Sequence, residues 1–369
     1  MKKLFGLLVL SLFLFNACSD DDDPTGGEVP EVYDYSEILT DFANNTVVPT
    51  YADLKGEGKL LVSDTETFME DGSQTSLNAA CEQWKATRKP WESSEAFIYS
   101  VISTYDGLMD SWPLDQSQLD QVLNGGQELT ADFVRNGLGS GLRGFHTIEY
   151  LLFRDGAPRN VGDITDREKE YLVAVTQVLY EDCVTLWATW AGVEEGTEEA
   201  EVLENIEVEI DNPYYDIFVN AGNAGSTYSS QTAAVEEIIQ GMIGIADEVA
   251  NQKIAGPVSS GEALNVESWF SWNSLTDFKN NIRSIKNCYI NGYDGSTSGA
   301  SLSDFVSEKD PTIDTEVKAK IEASITALNN IPEPFRNNLD NDEKTGPAIA
   351  AINDLAEYLQ SDVLPLFVN

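Results

Sequence analysis

The sequence predicts an all-α fold: two helical-bundle halves, each four-helix-bundle-like, packed together after a lipoprotein signal peptide and an acidic tether. Three observations support this. Apolar residues recur at helical steps along most of the chain, as with Leu54, Leu61 and Phe68. Convincing strands of alternating polarity between turn signals are hard to find. A stretch rich in acidic residues separates two helical stretches, so the packing rules of helical bundles apply to each half.

The first 17 residues are typical of a cleaved signal peptide. Two lysines precede an apolar run, Leu4–Phe15, which is too short for a comfortable transmembrane helix. Cys18 follows in a sequence that resembles a bacterial lipobox, with Phe15 in place of the usual leucine. We therefore expect Cys18 to be acylated and to anchor the protein to a membrane that it never crosses. The alternative is an ordinary signal peptide with an incidental cysteine.

Residues 18–35 form the predicted tether and indicate the membrane. Ser19, not aspartate, follows Cys18, so the inner-membrane retention signal is absent and we expect the outer membrane. The acidic run Asp20–Asp23 resembles the tether of surface-exposed lipoproteins, and a plain solvated linker fits it equally well. Exposure at the cell surface and a position on the periplasmic face both stay open.

Residues 36–190 form the predicted N-terminal bundle. Thr165 begins a capping sequence, with Glu168 three residues later, before a long periodic run to Trp190. Pro90 predicts the first turn of a helix over Trp91–Ser100.

An acidic connector, residues 191–225, and a C-terminal bundle, residues 226–369, complete the predicted organisation. The first part of the connector, residues 191–211, holds nine acids and no base. Its segment Val202–Ile210 fits either a short strand or a helix. Gly292–Ser303, rich in glycine and serine, is predicted to be a loop within the second bundle.

The net charge of the chain limits the classes of molecule that it is expected to bind. With 63 acidic and 22 basic residues among 369, the net charge is -41, which argues against nucleic-acid binding and favours attraction of cations. Beyond Cys18, three cysteines cannot all pair within one chain, and the disulfide state of Cys81, Cys183 and Cys288 stays open. No CxxC motif supports thiolate metal binding.

The chain has a single histidine, His146, which excludes zinc sites that need two or three histidines. On a helix, His146 and Glu149 face the same way, and the neighbouring stripe of Phe145, Ile148 and Leu152 predicts burial. A buried carboxylate beside an imidazole is costly unless it is paired or metal-bound. The alternative is a satisfied His–Glu hydrogen bond in a core.

A formal GxGxxG pattern, Gly139–Gly144, comes just before this histidine. A dinucleotide site needs a buried strand before the glycines, whereas the preceding segment, Glu128–Asn136, is polar and looks helical. We interpret the glycines as a flexible turn, and we expect no nucleotide cofactor.

Three ordered blocks resemble the imelysin-like family, which is also filed as a peptidase family. Gly144–Phe153 looks like its GxHxxE signature. Trp91–Phe97, followed by Asp106, Asp110 and Trp112-Pro113, resembles the upstream block of the family. Glu267–Ser274, followed by Asn280–Ile282, resembles the block in its second half. The resemblance covers roughly residues 36–369.

The resemblance implies two helical halves with the GxHxxE region near their interface. Relatives are linked to periplasmic uptake of iron or other metals, and some were described as proteases. By motif matching, the metal ligands proposed for the family would fall on Glu92, Asp106, His146 and Glu149. The match is looser for Glu92, because Glu95 is an equally plausible partner, and for Asp106, because Asp110 lies one turn further on.

The donor atoms agree with that implication. One imidazole with several carboxylates suits iron, manganese or calcium, and zinc remains compatible. Arg88 and Arg143 would orient the carboxylates or neutralise an acidic interior. The second half offers hydrogen bonds from three further residues, which fit helix caps equally well: Ser271, Asn273 and Ser274.

We therefore expect first a metal-binding accessory protein, with iron favoured, that assists metal-uptake partner proteins at the outer membrane. A binding module for a small ligand or partner protein comes second. A metal-dependent peptidase comes third, because hydrolysis needs an activated water and a general base and no protease machinery is recognisable.

Overall fold

Helices follow one another from Ser36 onwards in a computed structural model that describes residues 33–368. The predicted signal peptide, Cys18 and the tether as far as residue 32 lie outside the described residues. Within residues 33–368, no helix combines the length and the apolar character needed to cross a bilayer.

Residues 33–191 fold into eight α-helices and a short hairpin. Their bounds are α1 Ser36–Phe42, α2 Val48–Asp71, α3 Gln74–Glu92, α4 Ser103–Met109, α5 Gln116–Leu123, α6 Ala131–Gly137, α7 Gly144–Leu152, β1 Phe153–Arg154, β2 Ala157–Pro158 and α8 Asp166–Ala191. The strands are antiparallel, with Phe153 opposite Pro158. Helix α2 packs against α3 and α8, and α7 packs against the same two helices, which closes a four-helix bundle.

The rest of the chain adds nine more helices. Their bounds are α9 Glu198–Asn205, α10 Tyr214–Val219, α11 Gln231–Asp247, α12 Ala255–Ser260, α13 Ser274–Ile290, α14 Leu302–Lys309, α15 Pro311–Asn329, α16 Asp342–Tyr358 and α17 Pro365–Val368. A second bundle forms from α11, α13, α15 and α16, each of which packs against two of the others. The all-α prediction, with two helical halves, is therefore confirmed.

Short non-α turns interrupt or link these helices. Three are π-helical: Ala43–Val47, Glu248–Ile254 and Leu359–Val363. Six are 3₁₀ turns: Glu95–Phe97, Ser100–Ile102, Ser140–Leu142, Val161–Asp163, Ala263–Asn265 and Phe335–Asn337.

The two bundles share one hydrophobic core. Helix α13 of the second bundle packs against α3 of the first, so residues far apart in sequence meet along this contact. The predicted connector packs against the first bundle through α9 and α10, both of which contact α8. The segment Val202–Ile210 is helical only as far as Asn205. The domain boundaries within 191–225 stay a prediction.

Local sequence explains where several helices begin. Thr165 and Glu168 form the predicted capping box at the start of α8, each side chain bonding the backbone of the other. The predicted helix over Trp91–Ser100 is wrong: Pro90 lies in the last turn of α3, which ends at Glu92. Proline has no N–H to donate to the carbonyl of Ala86 one turn earlier, and α3 ends two residues beyond it.

Candidate functional site

The GxHxxE motif starts α7, and its first glycine lets that helix begin against another segment. Gly144 has φ = 78°, in the left-handed region that side chains rarely adopt. A Cβ atom on Gly144 would lie 2.2 Å from the carbonyl oxygen of Met109. The glycine therefore allows α7 to approach the end of α4, directly beside Asp110.

Replacing Gly144 with alanine is expected to lower the free energy of unfolding by about 2–4 kcal/mol, because the backbone conformation and the contact with Met109 both oppose a Cβ atom. Urea denaturation measures the loss. Gly139→Ala is the matched control, since Gly139 has a φ of -74° and open space around it; we expect its change to stay within about 0.5 kcal/mol. Equal stability of the two variants would contradict this role of Gly144.

His146 and Glu149 are buried side by side on α7. The imidazole Nδ1 lies 3.1 Å from Oε2 of Glu149. The other carboxylate oxygen, Oε1, accepts hydrogen bonds from the Phe270 N–H at 3.0 Å, the Ser271 N–H at 2.8 Å and the Ser271 hydroxyl at 2.7 Å. With both oxygens of Glu149 engaged, this carboxylate fixes the orientation of the imidazole and ties α7 to the second half of the chain.

The second imidazole nitrogen faces a different carboxylate. His146 Nε2 lies 3.1 Å from Oδ1 of Asp110, yet this buried nitrogen has no well-aligned hydrogen bond to any residue that the structure describes. The ring of Trp112 packs against the imidazole, with 4.7 Å between ring centroids. Nε2 is therefore aimed at Asp110 and kept from water on the Trp112 side.

Arg88, on α3, is fully buried at the centre of four carboxylates. Its guanidinium lies 2.6 Å from Glu92, 2.5 Å from Glu267 and 3.8 Å from Asp277, and it also hydrogen bonds Asp110. These acids come from α3, α13 and the loops after α4 and α12. A buried guanidinium needs such partners, since an unpaired charge in the interior is strongly unfavourable.

Lys253 supplies the second buried base. It lies in the π-helical turn Glu248–Ile254, where the i→i+5 pattern brings Glu248 and Lys253 onto one face. Its Nζ is 3.1 Å from Glu267, and three further carboxylates lie 3.8–4.0 Å away: Glu95, Glu248 and Glu92.

Acidic groups outnumber basic groups around this site. Two basic side chains and one imidazole face eight carboxyl groups: Glu92, Glu95, Asp106, Asp110, Glu149, Glu248, Glu267 and Asp277. To the extent that these carboxyl groups are ionised, their excess favours a bound cation.

The same crowding shifts the pKa values of the site. Burial raises the pKa of Glu92 well above the usual range, against the opposing effects of Arg88 and Lys253. Burial likewise raises the pKa of Glu95, against the opposing effect of Lys253. Burial also disfavours charge on Asp110, but Arg88 and His146 outweigh it and hold the pKa of Asp110 well below its usual range. For the imidazole, burial is outweighed by the carboxylates of Asp110 and Glu149, which raise the pKa of His146 to about 9.

A cavity of about 370 Å³ opens onto the site. Asp110, Glu267 and Lys253 lie on its wall, and Asp106 is exposed at its edge. A neighbouring cavity of about 240 Å³ shares Glu95, Asp106 and Glu248 with it. The route from solvent to Asp110 is therefore lined by carboxylates.

Within residues 33–368, two groups of histidine and carboxylate side chains could hold a metal ion. Donor atoms of Asp110, His146 and Glu267 lie within 4.8 Å of one another, as do those of Glu92, Glu95 and Asp110. The first group fits a divalent cation better because it includes the buried Nε2 that lacks a good hydrogen bond. Arg88 shares oxygens with this group, so a bound cation would compete with the guanidinium.

The sequence matches the family model described as imelysin over residues 47–361. This chain belongs to the imelysin family. The resemblance drawn from the three sequence blocks is thus confirmed.

Two relatives of this imelysin family member extend the match. It is 28% identical over 340 residues to iron-regulated protein A of Synechococcus elongatus, which covers 90% of this chain and 86% of the relative. It also resembles the crystal structure of a proposed iron-regulated protein A precursor from Parabacteroides distasonis, with a TM-score of 0.80 and 32% sequence identity. That similarity covers 90% of this chain and 95% of the other.

The structure gathers most of the predicted site residues of this imelysin around Arg88. Glu92 and Asp110 contact the guanidinium, His146 contacts Asp110, and Glu95 contacts Lys253. The ligand roles predicted for these residues stay a prediction. Asp106 lies at the cavity edge rather than beside Nε2.

Three of the predicted supporting residues lie at the site, and Arg143 does not. Ser271 bonds Glu149, Ser274 donates to the backbone oxygen of Glu267 at 2.6 Å, and Asn273 donates to Asp277 at 2.7 Å. Arg143 points elsewhere and pairs with Asp182 of α8. Its extended backbone, at φ = -140°, directs the side chain away from the carboxylates.

Several residues that contact this site were not predicted from the sequence. Glu267 begins the block Glu267–Ser274, but nothing in its sequence context marks it as a site residue. Asp277 follows that block on α13. The side-chain NH₂ of Asn281, also on α13, donates to Oε2 of Glu92 at 2.5 Å. No sequence pattern indicates Lys253 or Glu248, because residues five positions apart do not share a face of an α-helix.

Proposed function

We propose that this imelysin family member binds a metal ion, iron foremost, at Asp110, His146 and Glu267, and serves as an accessory to metal uptake. The observation that carries the proposal is the buried excess of carboxylates around an imidazole whose other nitrogen is fixed by Glu149. A histidine that ligates a metal commonly has its second nitrogen held by a carboxylate in this way.

Each residue then has a distinct task. His146 would bind through Nε2 after losing a proton, and Asp110 and Glu267 would supply carboxylate oxygens. Glu149 would hold the imidazole in the required orientation, with Ser271 holding Glu149. Arg88 and Lys253 would neutralise the carboxylates while no metal is bound, and so limit repulsion in the interior.

Separate observations support iron as the metal and the cell envelope as the location of the protein. Two similar proteins carry names that refer to regulation by iron, which supports iron as the cargo. The predicted signal peptide and acylated Cys18 support a lipid-anchored position at the outer membrane, where cargo would pass to a metal-uptake partner protein. Both imidazole nitrogens face carboxylates, which favours binding over nucleophilic hydrolysis.

A second candidate function is capture of a small cationic ligand. The cavity of about 370 Å³ is within the range of small-molecule sites, and its wall is acidic. Such a ligand would meet Asp106 and Glu248 before it reached Asp110.

Calorimetric titration of the full-length protein in detergent, with Mn(II) and with anaerobic Fe(II), tests the proposal. We expect one site of micromolar or tighter affinity. Because His146 has a pKa of about 9, it must release its proton to the metal, so the affinity should rise about tenfold per pH unit between about pH 6.5 and 8.5. Titrations in two buffers of different ionisation enthalpy count that proton.

His146→Ala, checked for helicity by circular dichroism, is the comparison variant. Loss of binding in this variant would support the site at Asp110, His146 and Glu267. Absent binding, or binding unchanged in the variant, would contradict it and would favour the cationic-ligand cleft.

A further inference from the structure

Two cavities open beside the glycine-rich loop 291–301 and have no part in the proposed metal site. Their volumes are about 520 and 340 Å³, and Lys286, Ile290 and Glu322 line both of them. The two cavities are therefore continuous and form one groove between α13 and α15. We call it the loop groove.

The packed pair of helices α3 and α13 separates the loop groove from the His146 site. On α3, Arg88 contacts the carboxylates of the His146 site, whereas Lys89, one position later, lines the groove. On α13, Asp277 lies near Arg88, whereas Lys286 follows about two and a half helical turns later and lines the groove. Each helix therefore presents one face to each site.

Basic groups outnumber acidic groups along the loop groove, which reverses the balance of the whole chain. Four bases and three acids line it, whereas the chain has 22 basic and 63 acidic residues. One positive charge is therefore in excess at the groove. The bases are Lys89, Arg283, Lys286 and Lys318, and the acids are Asp294, Asp304 and Glu322.

The basic groups of the smaller cavity can reach a ligand. Arg283 is exposed and forms no ion pair with any residue from 33 to 368. Lys286 pairs with Glu322 at 2.7 Å and Lys89 pairs with Asp294 at 2.9 Å, and all four side chains are solvent-accessible. Because exposed ion pairs contribute little to stability, these lysines can exchange their partner for a ligand at low cost.

Two buried polar side chains also line the smaller cavity. Ser93 is 4% exposed and Asn287 is 8% exposed, and neither side chain hydrogen bonds to any residue that the structure describes. The backbone oxygen of Asn287, in contrast, accepts hydrogen bonds from the Thr46 hydroxyl at 3.3 Å and from the Gly292 N–H at 3.1 Å. The backbone is thus fixed, while the side-chain amide and the Ser93 hydroxyl need water or a ligand as a partner.

Contacts with the start of the chain hold the loop in place. The side-chain NH₂ of Asn45 donates to the backbone oxygen of Ser298 at 2.8 Å, and the Ala300 N–H donates to Oδ2 of Asp41 at 2.7 Å. At the beginning of the loop, a Cβ atom on Gly292 would lie 1.6 Å from the backbone oxygen of Ser296, so only glycine allows this tight path. The wall that the loop contributes to the groove is therefore preorganised.

We propose that the loop groove binds a small organic monocarboxylate with an aliphatic body. Arg283 and Asn287 lie one turn apart on α13, so the guanidinium and the side-chain NH₂ can meet the same carboxylate. The Ser93 hydroxyl donates to that carboxylate from α3, and the Lys286 ammonium adds charge beside it. Charge-assisted hydrogen bonds of this kind are the strongest that a carboxylate can form with side chains.

The size of the charge and the apolar wall favour an organic monocarboxylate over inorganic phosphate. One positive charge in excess is neutralised by one carboxylate, whereas a phosphate dianion would leave the groove negative. Ile290 and Ile325 are half-buried on the wall of the smaller cavity, and Ile321 lines the larger one. An aliphatic body would cover these side chains and remove apolar surface from water, which phosphate cannot do.

Saturation-transfer NMR of the full-length protein in deuterated detergent, without added metal, tests the proposal with hexanoate as the probe. Three further probes vary one property each: acetate lacks the aliphatic body, 1-hexanol lacks the charge, and inorganic phosphate is an anion without carbon. We expect hexanoate to saturate one site and to bind at least tenfold more tightly than each of the other three. No saturable binding of hexanoate would overturn the proposal, as would 1-hexanol or phosphate binding equally tightly.

Variants of the groove place the binding. Arg283→Gln and Asn287→Leu should each weaken the binding of hexanoate at least fivefold, and circular dichroism checks that each variant keeps its helices. Lys344→Gln, which removes an exposed base on α16 away from the groove, is the matched control and should bind as the wild type does. His146→Ala should also retain binding, since the metal site is separate. Hexanoate binding unchanged in both groove variants, or lost in His146→Ala, would contradict a site in the loop groove.

Discussion

Replacing Arg88 with methionine is expected to lower the free energy of unfolding by about 3–5 kcal/mol at pH 8, because the change leaves buried carboxylates without their cation. The group that loses its partner comprises Glu92, Asp110, Glu267 and Asp277. Urea denaturation measures the loss. We expect a smaller loss at pH 5.5, where the uncompensated carboxyls, with their folded-state pKa values now raised, take up protons on folding.

Arg283→Met is the matched control for this prediction. Arg283 is exposed, and among residues 33–368 it bonds only the Asn280 side chain, at 2.7 Å, so its loss should change stability by about 0.5 kcal/mol or less. Because a cation at Asp110 and Glu267 shares oxygens with Arg88, Mn(II) should stabilise Arg88→Met more than it stabilises the wild type. Equal losses in the two arginine variants would contradict the central position of Arg88.

Replacing Glu149 with glutamine is expected to weaken metal binding at His146 by about 10- to 100-fold. The amide oxygen can keep the hydrogen bonds from Phe270 and Ser271, which turns the amide NH₂ towards Nδ1 of His146. Nδ1 must then accept and the ring proton moves to Nε2, so that nitrogen binds a metal only after the less stable tautomer forms. Calorimetric titration with Mn(II) at pH 8 measures the change.

Ser271→Ala provides the comparison for Glu149. It removes one of the three hydrogen bonds to Oε1 but keeps the carboxylate opposite Nδ1. We expect a loss of stability of about 1 kcal/mol and an affinity for Mn(II) within a few-fold of the wild type. If Glu149→Gln bound the metal as tightly as Ser271→Ala, Glu149 would not act by setting the imidazole tautomer.

The helical fold was predictable because its signals are local. Apolar periodicity and the capping box at Thr165 depend on residues a few positions apart, and the structure has helices where those signals are strongest. The pairing of His146 with Glu149 was predictable for the same reason, since both lie on one turn of α7. Pro90 misled the prediction because a proline can mark either boundary of a helix, and here it lies two residues before the end of α3.

The remaining parts of the site depend on long-range packing. Arg88 and Glu267 are 179 positions apart and meet only because α3 and the segment before α13 pack together. Lys253 reaches the carboxylates through a π-helical turn, which no simple periodicity reveals. Proximity in sequence was also a poor guide for Arg143. It is three residues from His146 in sequence, but it pairs with Asp182 of α8.

The most direct test of the metal site is anomalous diffraction from crystals of the protein grown with excess Mn(II). The account predicts one strong anomalous peak within about 2.5 Å of His146 Nε2 and of carboxylate oxygens of Asp110 and Glu267. The same experiment on Glu149→Gln should show a weaker peak. A fully ordered site with no anomalous peak at saturating Mn(II), or a peak only at other carboxylates, would contradict metal binding at His146.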